Sequence, residues 1–211
     1  ESVVYTEETP CDVNSQFQDG SFTYCVRRGQ VSGLEVPLKL FRFAFPDFKT
    51  IEILYCDKPT GSWATGVRWV FFNGEAIWLE GPAAEWFEPE TRAEIRRCYR
   101  ILRKHKDAFT SLEPVPLVPT EMGGVWANKF PVATLKAKNQ PPVESKTLYT
   151  LYNARHRTVR GEVLRLPHRD GATYYDEWHQ RPATVRRDGA HILLATELGP
   201  HGTGCLVVEQ R

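Results

Sequence analysis

Two adjacent glutamates, Glu7 and Glu8, close a short β-prone run, Ser2-Val3-Val4-Tyr5-Thr6, and a polar, proline-containing loop follows them. Carboxylates at the carboxyl ends of strands are where (β/α) enzymes keep their acids and bases. Glycoside hydrolysis uses two of them, about 5–5.5 Å apart for retention and about 6.5–9.5 Å apart for inversion. Successive strand side chains point to opposite faces, so only one of Glu7 and Glu8 is expected to face a cleft. Asp47, after a second expected strand, is a third catalytic candidate. Asp12 and Asp19, on the loop above the strands, and Glu80, after a third strand, are candidate substrate contacts. Glu75 begins its strand and belongs to the opposite, stabilising end. For any single carboxylate, a helix cap or an ion pair is the ordinary role.

The aromatic supply is rich: six Trp, eight Tyr and eleven Phe. Most such rings build cores, but they are also the surfaces on which sugar rings stack. Tyr174, Tyr175 and Trp178 cluster on one run. There, alternation puts Tyr174 and Trp178 on one face, and core packing is the simpler role.

Other chemistries find little support. The six histidines show no H-x-x-x-H or H-E-x-x-H spacing, so no metal site is expected, and no cofactor motif occurs. Gly199 to Gly204 follows no strand-to-helix pattern and does not read as a phosphate loop. The net charge is +1, from 27 basic and 26 acidic residues, which gives no bulk field for nucleic acid. The arginine face Arg92, Arg96, Arg97, Arg100 and Arg103 reads as a solvated or acid-paired helix surface. No apolar run is long enough to span a membrane. The five cysteines, Cys11, Cys25, Cys56, Cys98 and Cys205, are odd in number and lack C-x-x-C spacing. They read as reduced thiols, which favours a cytoplasmic location. The chain starts at Glu1 rather than Met and reads as truncated.

The elements that must hold the carboxylates come next. Trp63 to Phe72 predicts a helix closed at Gly74, and Ala76-Ile77-Trp78-Leu79 a strand covered on both faces. Leu38 to Phe45 predicts a strand stopped by Pro46-Asp47, Ile51 to Tyr55 a further short element, and Ser21 to Val26 a brief helical segment. Pro89 to about Lys106 predicts the best helix, with Ile95, Cys98, Tyr99 and Leu102 on its apolar face. After Phe109 the pattern changes to short β-prone runs: Val125–Phe130, Thr147–Asn153, Arg157–Leu166, Ala172–Trp178, Ala190–Glu197 and Cys205–Glu209. Asp170-Gly171 and Asp188-Gly189 are hairpin signals. The fold class expected is α/β followed by all-β. Residues 1–112 are read as part of a (β/α) barrel, and residues 113–211 as an antiparallel β-sandwich.

Several stretches resemble a known family. They are Tyr5-Thr6-Glu7-Glu8, Asp19-Gly20-Ser21-Phe22-Thr23-Tyr24, Phe43 to Lys49, Phe72-Asn73-Gly74-Glu75, Tyr149 to Asn153, and Thr158 to Glu162. The chain is similar to the carboxyl-terminal part of a bacterial, largely uncharacterised glycoside-hydrolase-like family. The resemblance implies the end of a (β/α)8 barrel followed by a β-sandwich, with a carbohydrate as substrate and the remainder of the barrel as partner. The alternative is a non-catalytic carbohydrate-binding or support module.

Overall fold

The computed structural model describes residues 3–7, 13–23, 36–55, 63–80, 88–134 and 143–210. The chain forms two compact units, Glu1–Lys104 and His105–Arg211. The division falls ahead of the 112/113 boundary expected from sequence. A short helix at the start of the second unit places Phe109 against Phe130, with ring centroids 5.2 Å apart.

The first unit is a four-stranded sheet. Its strands are β1 (Tyr5–Glu7), β2 (Gly20–Thr23), β3 (Lys49–Tyr55) and β4 (Ala76–Glu80). They lie in chain order, and every pairing is parallel. Its helices are α1 (Leu40–Ala44), α2 (Trp63–Phe72) and α3 (Pro89–Lys104). α2 ends as expected, with Gly74 in the left-handed region at φ 66°. Glu75 N then bonds Val70 O at 3.2 Å, and β4 begins.

Three expectations are corrected here. Leu38 to Phe45 is not a strand: five of its residues form α1. Its dense apolar run suits a short buried helix as well as a strand, and periodicity cannot separate the two at that length. Ser21 begins no helix but lies in β2. β4 is also not covered on both faces, because Trp78 is 45% exposed.

Register separates the two sheet faces. Thr23 pairs with Glu52 and Glu52 with Ile77; these side chains, with Ser21 and Thr50, are buried. Glu7 pairs with Phe22, Phe22 with Ile51 and Ile51 with Ala76, and this opposite face is the more open one.

The second unit opens with α4 (Lys106–Phe109) and continues as β5 (Val115–Val118), β6 (Val125–Thr134), β7 (Val143–Asn153), β8 (Val159–Pro167), β9 (Ala172–Asp176), β10 (Arg181–Pro182), β11 (Thr184–Asp188), β12 (His191–Leu198) and β13 (Thr203–Gln210). One sheet has the order β10-β9-β13-β7-β6-β5 and the other β11-β12-β8, with all pairings antiparallel. Tyr149, Leu151, Leu206 and Val208 from the first sheet share one core with Val159, Leu164, Ile192 and Leu194 from the second. This is the sandwich layout in which two apolar faces bury each other.

Of the two turn signals, Asp188-Gly189 makes a hairpin: Asp188 pairs with His191, and Gly189 has φ 61°. Asp170-Gly171 does not, because β8 and β9 lie in different sheets. In β8, Leu164 pairs with Leu194 and Glu162 with Ala195, which leaves Val163 as a bulge. The extra residue shifts the alternation, so Val163 and Leu164 are both buried although adjacent.

Candidate functional site

The open face of the parallel sheet carries an aromatic row. Tyr5 stacks on Phe22 at 5.7 Å between centroids, and Phe22 meets Trp78 edge-on at 4.7 Å. Tyr5 and Trp78 are more than a third exposed. The row needs Gly20. A Cβ there would collide with the Tyr5 ring and the Lys49 carbonyl, so only glycine lets β1 and β3 approach β2 this closely.

Glu7 closes β1, is exposed, and shares this face with Phe22 by register. Glu80 closes β4, with Tyr55 as its backbone neighbour. Both therefore stand at carboxyl ends of parallel strands. Glu8 and Asp12 lie outside the described residues.

Asp19 and Asp47 stand elsewhere than expected. Asp19 immediately precedes β2, at the amino end of the sheet. Its Oδ2 accepts a 2.7 Å bond from Val4 N, its own N donates to Val4 O at 2.9 Å, and its carbonyl accepts from Lys49 N at 2.9 Å. Asp47 precedes β3, also at the amino end, because the run before it is a helix rather than a strand. There its charge supports the Lys49 ammonium, whose pKa burial and then Arg42 push down. Lys49 Nζ donates to Pro46 O at 2.7 Å.

Beneath the other face lies a group of charges that sequence reading missed. Lys39 Nζ donates to Thr23 Oγ1 at 2.7 Å and reaches Glu75 Oε1 at 2.8 Å and Glu52 Oε2 at 3.3 Å. Thr23 Oγ1 donates to Glu52 Oε2 at 2.6 Å, and Thr50 Oγ1 to Glu75 Oε1. The Asn73 side chain holds the segment carrying Lys39. Its Oδ1 accepts from Lys39 N at 2.8 Å, and its Nδ2 donates to Pro37 O and Trp69 O, both at 2.8 Å. Arg42 completes the group: burial lowers its pKa and the nearby Glu75 opposes that shift. Two cations thus face two carboxylates, so the buried charge sums to zero. Lys39 and Arg42 carry no sign of burial in sequence. Only the matching Glu52, in the middle of a strand, hints at burial.

Chemically, the open face offers the Glu7 carboxylate beside stacked rings, and two-carboxylate hydrolysis needs a second. Among the described residues, no group of three or more His, Cys, Asp or Glu could hold a metal ion. Cys98 and Cys205 are buried thiols outside any disulfide, and the other three cysteines lie outside the described residues.

No family model and no curated protein matches the chain. Solved structures do. An α-amylase from Geobacillus thermoleovorans complexed with acarbose aligns with a TM-score of 0.60 at 12% identity, over 99% of this chain and 54% of that one. A debranching enzyme from Nostoc punctiforme aligns at 0.58 and 13%, over 96% and 51%. The α-galactosidase I from Mortierella vinacea aligns at 0.51 and 8%, over 94% and 55%. The chain is similar in fold to these structures. It spans about half the length of these structures.

Proposed function

We propose that the first unit is the closing part of a (β/α)8 barrel, that the second is its appended β-sandwich, and that the whole protein hydrolyses a glycan. One observation carries this reading. Four parallel strands follow one another in chain order, with a buried face on one side and Tyr5, Glu7, Phe22 and Trp78 on the open side. A doubly wound sheet reverses direction at its switch point, whereas a barrel does not. In a barrel the open face would be the interior, and Glu7 would stand at its catalytic rim.

In this reading Glu7 is the acid/base or an essential substrate contact. Glu8 or Glu80, or a carboxylate from outside this chain, supplies the second group. Asp19 and Asp47 keep structural roles at the opposite rim. Asp12 stays a candidate substrate contact on the covering loop.

The experiment uses the product of the complete reading frame. It is assayed against α-glucosides, α-galactosides and polymeric glucans. Glu7→Gln keeps shape and removes the titrating proton, so activity should fall by about 10²–10⁴-fold with circular dichroism unchanged. Retention of activity within a few-fold in both Glu7→Gln and Glu8→Gln would overturn the assignment.

The second reading is a non-catalytic carbohydrate-binding or support module, favoured by the sandwich having a core of its own. It predicts no hydrolysis by the complete protein, and glycan affinity, where present, unaffected by Glu7→Gln.

A further inference from the structure

We propose that His156 and His201 form a binding site for a divalent transition-metal ion of the zinc, nickel or copper class, at one end of the sandwich. His201 Nε2 lies 2.9 Å from His156 Nδ1, with the rings edge-to-face at 4.4 Å between centroids. Imidazole nitrogens are favoured ligands for these ions, at about 2.0–2.1 Å from zinc. Two such nitrogens on one ion are about 3.3 Å apart in a tetrahedral site and about 2.9 Å apart at right angles. The hydrogen-bonded pair is therefore within about 0.4 Å of either spacing, and rotation of the rings turns both lone pairs from each other onto one point. Water completes the coordination, as the partial exposure of both residues allows.

The pair sits on a built frame. His156 is on the β7–β8 connection and His201 on the β12–β13 connection, each of which crosses between the two sheets. Asn153, fully buried, ties these connections together. Its Nδ2 donates to Gly199 O at 2.7 Å, Arg157 O at 2.9 Å and Leu198 O at 3.3 Å, and its Oδ1 accepts from Arg155 N at 3.0 Å. His201 N donates to Arg155 O at 3.1 Å, and its φ of 48° is a left-handed value that the frame imposes. Gly202 accepts a close backbone approach from Gly199, where a Cβ would meet Gly199 O at 2.9 Å. Of the flanking cations, Arg155 lies against Gly123 and Gly124, with Nη2 3.5 Å and Nε 3.0 Å from where their Cβ atoms would be. Arg157 is exposed.

Without metal, one of the two facing nitrogens carries the proton and the other accepts it. On binding, that proton passes to water, and the same ring takes up a proton on its far nitrogen. Two neutral rings therefore bind the ion with no net proton release.

The test titrates the intact chain with Zn²⁺ by calorimetry and with Cu²⁺ by electron paramagnetic resonance. One ion per chain should bind with two nitrogen couplings. Both His156→Gln and His201→Gln should weaken binding at least tenfold while leaving circular dichroism unchanged. His168→Gln and His191→Gln should change nothing. Equal affinity in the parent and both pair variants would overturn the proposal, as would a single nitrogen coupling in the parent.

Discussion

Replacing Lys39 by Met tests whether the charge group beneath the parallel sheet holds the first unit together. The Lys39 side chain is 8% exposed and contacts two carboxylates that are 1% and 2% exposed. Methionine preserves most of the volume, so the loss is electrostatic rather than a cavity. It removes the ammonium that faces Glu52 and Glu75, and its hydrogen bond to Thr23. Breaking a buried pair from one side costs about 3–5 kcal/mol, because the remaining charge stays desolvated. For a unit of this size each kcal/mol moves the melting temperature by roughly 4–8 °C, so the shift should be at least about 12 °C. Hydrogen exchange of the peptide containing 49–55, read by mass spectrometry, reports the first unit separately from the sandwich. Adding Glu52→Gln to Lys39→Met should restore part of the loss, with a coupling of about 0.5–3 kcal/mol. If Lys39→Met alone stays within about 1 kcal/mol of the parent, the buried group is not the stabilising element argued here.

Two further outcomes follow from the second unit. Burial raises the Glu144 carboxyl, but hydrogen bonds from Thr147 and Lys129 and the charges of Lys129 and Arg169 outweigh it, so its pKa is lowered. Burial likewise raises Asp107, but the hydrogen bond and charge of Lys146, the Ala108 amide and His105 together outweigh it, so its pKa is also lowered. A lowered folded-state pKa gives stability that is full above the unfolded value, about 4, and is lost as pH falls through the folded one. Urea midpoints of the sandwich should therefore drop below about pH 4, and Lys129→Ala should flatten that dependence. Asn153→Ala should cost roughly 2–4 kcal/mol, since part-buried loop carbonyls and the Arg155 amide lose their partner. Asn153→Asp should be no better, because it turns a carboxylate oxygen toward those carbonyls; recovery of parental stability in the aspartate variant would refute this account.

Much of the sandwich was legible because antiparallel strands with one wet face alternate. Val125, Thr147, Ala172, Ala190 and Cys205 each open a run that lies on or beside a strand of the structure. β5 was hidden by the prolines of Glu113 to Pro119, and β11 by its exposed, charged face. The first unit was harder to read. α2, Gly74 and α3 follow from apolar periodicity and a glycine stop. α1 and β2 were misjudged because five or six apolar residues carry no decisive period. That one error displaced Asp47 from the carboxyl to the amino end of the sheet. The charge group was invisible for another reason. Glu75 is legible as a residue of the stabilising end, but nothing in sequence joins it to Lys39, Arg42 and Glu52; only the parallel register brings them together. The pairing of His156 with His201 is equally a product of topology, since 45 positions separate them.

The position of β13 bears on how the protein is made. Residues 203–210 are the last described strand, yet they lie between β7 and β9, pairing with both along most of their length. Until the ribosome has released them, β7 and β9 each present an unpaired edge, and Leu206 and Val208 are missing from the core. The nascent chain must therefore carry this sheet unclosed until residues 203–210 emerge. Such a chain is a natural client for a chaperone that shields exposed edges. Loss of residues 203–210 would remove the middle of the sheet rather than trim its margin.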